Sequence, residues 1–163
     1  MKTNLQLTKA PIAKTEMLIR KPVAEVFEAF INPQITTKFW FTKSSGRLEV
    51  GKQVTWTWEM YDVSAQVNIK EIEHNKRILI EWPYGDVSTT VEWIFTPYQN
   101  DATFVSITNS GFQGNGDKVV NDALDLKGGF TWVLAGLKAL LEHGIQLNLI
   151  ADAFPKGLRE HQS

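Results

Sequence analysis

Gln53 to Ile72 reads QVTWTWEMYDVSAQVNIKEI, and the spacing of its apolar residues decides the fold. Val54, Trp56, Trp58 and Met60 alternate with Gln53, Thr55, Thr57 and Glu59. Past Tyr61-Asp62 the alternation resumes, with Val63, Ala65, Val67 and Ile69 set against Ser64, Gln66, Asn68 and Lys70. A period of two puts one set on each face of a strand. A connection this short, made of turn formers, joins antiparallel neighbours, because a parallel crossover needs a dozen or more residues. The phase slips once. Ile69 and Ile72 are three apart, so a bulge at Lys70 or Glu71 is expected to return Ile72 to the apolar face and to bend the sheet.

Downstream the same period recurs at Ile78, Ile80 and Trp82, at Val91, Trp93 and Phe95, and at Val105 and Ile107. Turns are expected at Asn75-Lys76, Pro83 to Asp86 and Gln99 to Asp101, which makes a five-stranded meander. Upstream, Lys14 to Arg20 reads as a first strand. Pro22 then opens a helix carrying Val23, Val26, Phe27 and Phe30, which Asn32-Pro33 breaks. A second short helix is expected from Pro33 to Phe39, ending in the bulky group Phe39, Trp40 and Phe41.

After a loop at Gly111 to Gly116, Asp117 is the expected cap of a helix running to His143, roughly 40 Å at ~1.5 Å per residue. Val120, Leu124, Leu134, Leu137 and Leu141 mark its apolar face, flanked by Val119, Ala123, Val133 and Leu140. Gly144 suits a left-handed cap, and His143 suits the negative helix end. Strict alternation leaves one sheet face polar, so the long helix must cover the other. A six-stranded sheet is wider than a helix about 10 Å across and has to curl around it. The fold class is therefore α+β, a curved antiparallel six-stranded sheet wrapped around a long C-terminal helix, with two short helices after strand 1.

The 163 residues suit a single domain, residues 1–163, with a loose arm at 1–13 and a C-terminal extension at 145–163. Charge is balanced, with 17 Lys and Arg against 18 Asp and Glu, and no basic stripe stands out, which excludes the usual nucleic-acid binder. Cysteine is absent, so disulfides, thiolate metal sites and cysteine nucleophiles are excluded. Met1 to Lys14 lacks the apolar core of a signal peptide, and no run reaches the ~18 apolar residues of a membrane span. The expected compartment is the cytoplasm.

Catalytic signatures are sparse. His74, His143 and His161 show no metal-ligand spacing, so no metal or cofactor is expected. Gly111 to Gly116 has the glycines of a phosphate loop, but no Gly-Lys-Ser/Thr ending and no preceding parallel strand. Asp117, Asp122 and Asp125 crowd a helix start, where the dipole favours negative charge. In an unslipped strand Glu71 would point inward as a candidate acid or base; the bulge would turn it out. The pair Gly128-Gly129 interrupts the long helix at about 0.8–1 kcal/mol each relative to Ala. It marks a kink or close approach to a strand, or volume left open for a ligand.

Three stretches carry a family resemblance. They are Lys21-Pro22-Val23 through Phe30 and Asn32-Pro33; Lys38-Phe39-Trp40-Phe41; and Gly128-Gly129-Phe130 running into Leu137-Lys138-Ala139-Leu140-Leu141. With the meander they span nearly all of Thr15 to Gly144, and the chain resembles the START-like, helix-grip (SRPBCC) superfamily. Within it, the chain looks like the stand-alone relatives of the C-terminal domain of the heat-shock chaperone's ATPase activator. That family commonly has Trp after the paired glycines; here Phe130 follows them and Trp132 lies two residues on. The resemblance implies a cavity between sheet and helix. It also implies membership of a group that includes lipid carriers, hormone receptors, cyclase-type enzymes and co-chaperone domains. The activator's separate chaperone-binding domain is not expected ahead of residue 14.

Trp56, Trp58, Trp82, Trp93 and Phe95 all fall on the inner sheet face. Each Trp can bury roughly 150–250 Å², about 4–6 kcal/mol gross at ~25 cal/mol per Å². The preferred expectation is a site for a small hydrophobic ligand, aromatic or lipid-like, lined by those five with Phe130 and Leu134. The alternatives are a cyclase- or hydrolase-like enzyme using the same cavity, and a protein-interaction or co-chaperone-like module. The latter would expose Phe39 to Phe41 or Leu147 to Phe154. A homodimer also stays open.

Overall fold

The computed structural model describes residues 6–158. Residues 1–5 of the expected arm and 159–163 of the extension, His161 among them, lie outside the described residues. Strand β1 (Ala13–Ile19) is followed by helices α1 (Val23–Ile31) and α2 (Pro33–Thr36). The meander runs β2 (Lys43–Ser44), β3 (Gln53–Trp58), β4 (Val63–Glu73), β5 (Arg77–Tyr84), β6 (Val87–Tyr98) and β7 (Ala102–Ser110). The long helix α3 (Gly116–His143) and a single turn, α4 (Leu149–Asp152), complete the chain. The strands form one antiparallel sheet in the order β1-β7-β6-β5-β4-β3-β2.

The sheet has seven strands instead of the expected six. The addition, β2, contains only Lys43 and Ser44, paired with Thr57 and Trp56, and two residues are too few to show a period. The bulge falls at the phase slip: Ile69 pairs with Ile80 and Glu71 with Leu79, so Lys70 is the extra residue. Ile72 thereby regains the core face, and Glu71 lies outside, against Arg77. Met60 leaves the strand it was expected to end, because Glu59–Tyr61 tighten into a 3₁₀ turn closed by Asp62 in the left-handed region. The second helix stops at Thr36, three residues short of Phe39, which frees Phe39, Trp40 and Phe41 to turn into the core.

Helix α3 is capped two residues earlier than expected. Asn115 caps it, its side chain accepting from the Lys118 N–H at 2.8 Å, in the role expected of Asp117. Gly144 closes the other end at φ +66°, with its N–H returned to Leu140. The buried stripe is Val119, Ala123, Phe130, Val133, Leu134 and Leu137, with half-buried Leu126 between. From Val119 it advances by fours and threes, so Leu124, about 100° round from Ala123, faces outward at 63% exposure. Gly136 is where the helix comes close: a Cβ there would lie 3.4 Å from both Cβ and O of Phe39. At Gly128 and Gly129 a Cβ would meet nothing within 4 Å, so the close approach considered for that pair belongs to Gly136.

The C-terminal end of α3 is tied to β1 by polar contacts. Glu142, its side chain 10% exposed, accepts from the Arg20 N–H at 2.9 Å and from Lys138 Nζ at 2.6 Å. Lys138 also donates to the Leu18 carbonyl at 3.0 Å. Burial pushes the Glu142 carboxyl upward, but these donors and the charges of Lys138 and His143 outweigh it and hold the group below the usual carboxylate range. A lowered folded-state pKa adds stability above the unfolded value of about 4.3, and that increment is lost as pH falls through the folded value. Glu142→Gln is expected to cost about 1–3 kcal/mol at pH 7. The gap to wild type should close as pH falls below ~4 in urea titrations; a pH-independent gap would contradict this linkage.

Candidate functional site

The apolar sheet face is wider than α3, and aromatic rings fill much of the difference. Trp40 sits at their centre, with centroids 4.9 Å from Trp56, 5.6 Å from Trp82, 5.9 Å from Phe130 and 6.1 Å from Trp93. Phe41 stacks on Trp56 at 4.8 Å and Trp58 on Trp82 at 6.2 Å, with interplanar angles of 14° and 13°. Helix α1 closes the neighbouring gap through Phe27 and Phe30 against Phe95, at 5.3 and 5.9 Å. The fill is incomplete. A cavity of about 890 Å³ remains between β3–β5 and α3.

Of the seven expected site residues, Trp58, Trp82 and Phe130 stand on the cavity wall. Trp56, Trp93, Phe95 and Leu134 are packed behind it, each at most 2% exposed, and do not line it. The division follows register. Trp93 and Phe95 lie on β6 under α1 and α3, and Trp56 lies beneath Trp40 and Phe41. The indole N–H groups of Trp56 and Trp93 are buried with no hydrogen-bond acceptor. Each such group costs about 1–3 kcal/mol, a price set by packing two indoles among rings.

Sequence reasoning missed other parts of the wall. Trp40 comes from an irregular segment that no period places. Gly129 lines the cavity where a Cβ would meet nothing within 4 Å, matching the expected alternative of volume left open. The extension supplies Ile150 and Phe154. The Phe154 ring meets Tyr61 at 6.0 Å and Trp132 at 6.1 Å, and the Tyr61 hydroxyl donates to the Ile150 carbonyl. The Leu147 to Phe154 stretch is thus partly a cavity wall, and Phe39, Trp40 and Phe41 are buried. Phe39 to Phe41 therefore form no exposed patch, whereas Leu147 remains 46% exposed beside the wall.

Polar groups gather at one end, around the start of α3: Tyr84, Asp86, Gln113, Lys118 and Asp122. Asp122 is buried and receives Lys118 Nζ at 2.6 Å. Burial, and then the charges of Asp122 and Asp125, push the Tyr84 hydroxyl up to about 12, so it stays protonated at neutral pH. Tyr61 is raised for the same two reasons, burial first and then Asp152. Glu71, with its side chain more than half exposed, is engaged by Arg77 and does not line the cavity; exposed Asp117 and Asp125 do not line it either. No cluster of three or more metal-ligating side chains occurs, and no helix is long and apolar enough to cross a membrane, among the described residues.

A curved antiparallel sheet closed over one long helix, with a wedge-shaped apolar cavity between them, defines the START-like, helix-grip class. The profile of the family described as Activator of Hsp90 ATPase homolog 1-like protein matches residues 20–142, and the chain belongs to that family. A crystal structure from Staphylococcus saprophyticus is 33% identical, over 84% of this chain and 96% of that one, with a TM-score of 0.71. Two more distant structures share the fold. DynU16, from the dynemicin biosynthetic locus, is 22% identical over 83% of this chain, with a TM-score of 0.72; the match spans 48% of DynU16. The Aha1 dimer of Colwellia psychrerythraea is 17% identical over 82% of this chain and 98% of that one, with a TM-score of 0.70. No curated protein matches the chain.

The two kinds of helix glycine make opposite predictions. Gly129→Ala should raise stability by up to about 1 kcal/mol, since Ala is the better helix former and meets no neighbour. Gly136→Val should lower it by about 1–3 kcal/mol by forcing α3 away from Phe39. Guanidinium midpoints at constant m-value measure both.

Proposed function

We propose that the protein binds a small hydrophobic molecule, aromatic or lipid-like, in the cavity between the sheet and α3, in the cytoplasm. The observation that carries this reading is the unfilled space itself. About 890 Å³ lies within the range of small-molecule sites, and aromatic rings with a few polar groups at one end form its wall. A helix glycine that keeps this space open at a cost of ~0.8–1 kcal/mol supports it. Trp58, Trp82 and Phe130 are the contact residues among those expected from sequence, joined by Trp40, Tyr61 and Phe154. Binding is favoured over turnover because Glu71 faces away and Asp122 is already engaged by Lys118.

A homodimer is a second reading. Leu124 is 63% exposed on the outer side of α3, and one relative, the Colwellia protein, is described as a dimer in solution. Light scattering across a concentration series decides it: a dimer mass supports this reading, and a monomer mass at every concentration removes it.

Titration with Nile red, a neutral apolar dye, tests the cavity. Saturable binding with a change in tryptophan emission is expected, and a ligand at a hundredfold excess over its Kd should stabilise the fold by about 2.7 kcal/mol. Gly129→Leu should weaken dye binding at least tenfold while the protein stays folded by circular dichroism. Unchanged dye affinity in folded Gly129→Leu would place the dye elsewhere.

A further inference from the structure

The cavity has a direction. Its wall follows α3 from Lys118 to Trp132, fourteen residues on, or about 21 Å at 1.5 Å per residue. An 890 Å³ space of that length has a mean cross-section of about 42 Å², so it is several times longer than it is wide. The Trp132 end is walled by Tyr61, Ile150 and Phe154, and the Lys118 end by Tyr84, Asp86 and Asp122.

The charge at the polar end is unbalanced. Asp86, Lys118 and Asp122 are the charged residues on the wall among the described residues. Lys118 is committed: Nζ holds Asp122 Oδ2 at 2.6 Å, and its stem lies over Gly114, where a Cβ would come within 2.7 Å of Lys118 Cδ. Asp125 adds a further negative charge felt at Tyr84, and the start of α3 offsets it with roughly half a positive charge. Three carboxylates against one ammonium and that half charge leave about −1.5. Among the described residues the far end offers no cation either, since Asp152 acts on Tyr61 there and no lysine or arginine lines that wall.

On the reading that this cavity binds an apolar molecule, we propose that its ligand is an elongated amphiphile with a protonated-amine head lodged beside Asp86 and Asp122, and that anionic amphiphiles are rejected. The apolar body lies along Trp82 and Phe130 towards Phe154. The head displaces water near the Asp122 carboxylate without having to break the Lys118 pair, because Lys118 occupies one of its two oxygens. The Tyr84 hydroxyl, still protonated, offers its oxygen as an additional acceptor.

Three ligands of equal length and different charge test this: decylamine, decanol and decanoate, each displacing Nile red at pH 7 below its aggregation limit. A unit charge held ~6 Å from an opposite charge at an effective dielectric constant of ~40 changes affinity about tenfold. Decylamine should therefore displace the dye at about tenfold or more lower concentration than decanoate, with decanol between them. Asp86→Asn and Asp122→Asn should each shrink the amine-to-acid ratio several-fold, with folding checked by thermal melting. Asp101→Asn, at the distant β6–β7 turn, should leave it unchanged and so exclude nonspecific surface attraction. Equal affinities, a preference for decanoate, or failure of all three to displace bound dye would overturn the inference and leave the cavity reading standing. If Nile red itself fails to bind, the cavity reading falls and the inference with it.

Discussion

The structure depends on a mismatch of widths. Seven strands at ~4.8 Å spacing present an apolar face far broader than one helix. Something must cover the remainder or it stays in water at ~25 cal/mol per Å². The chain meets this with curvature from the Lys70 bulge, with α1 as a plug, and with a mass of rings centred on Trp40. Large flat rings are suited to this gap because each buries much area from a single backbone position. They also pack imperfectly around one another, and the cavity is what their packing leaves.

Two departures from an ideal core sit beside that cavity. The buried indole N–H groups of Trp56 and Trp93 lack acceptors, and Gly129 weakens the helix that the sheet grips. A core built for stability alone would replace the glycine with a residue that fills the space. Local violations of this kind tend to cluster where a protein does its work. Here Gly129 stands on the cavity wall and the two indoles lie in the layer behind it. By contrast, the Glu142–Lys138 clamp and the Gly136 contact with Phe39 lie away from it and hold α3 in place. The profile match from 20 to 142 takes in β2 to β7 and nearly all of α3 but stops before Ile150 and Phe154. The segment that finishes the apolar end of the wall therefore lies beyond the family's matched span.

Strand periods, turn residues, the phase slip at Lys70 and the αL glycine at 144 are local signals. Steric and hydrogen-bonding rules act over a few residues, so the sheet, its bulge and the end of the long helix were legible in the sequence alone. The inward face of every expected tryptophan was legible for the same reason. Which of those tryptophans meet a cavity was not. Trp58 and Trp82 share one alternation with Trp56 and Trp93, and only the line along which α3 crosses the sheet separates wall from core. That line is set by contacts distant in sequence: Gly136 on Phe39, Glu142 on Arg20, Phe154 between Tyr61 and Trp132. Periodicity reports which side of a strand is dry; only the packing of one element on another decides whether a dry side chain faces a neighbour or a space.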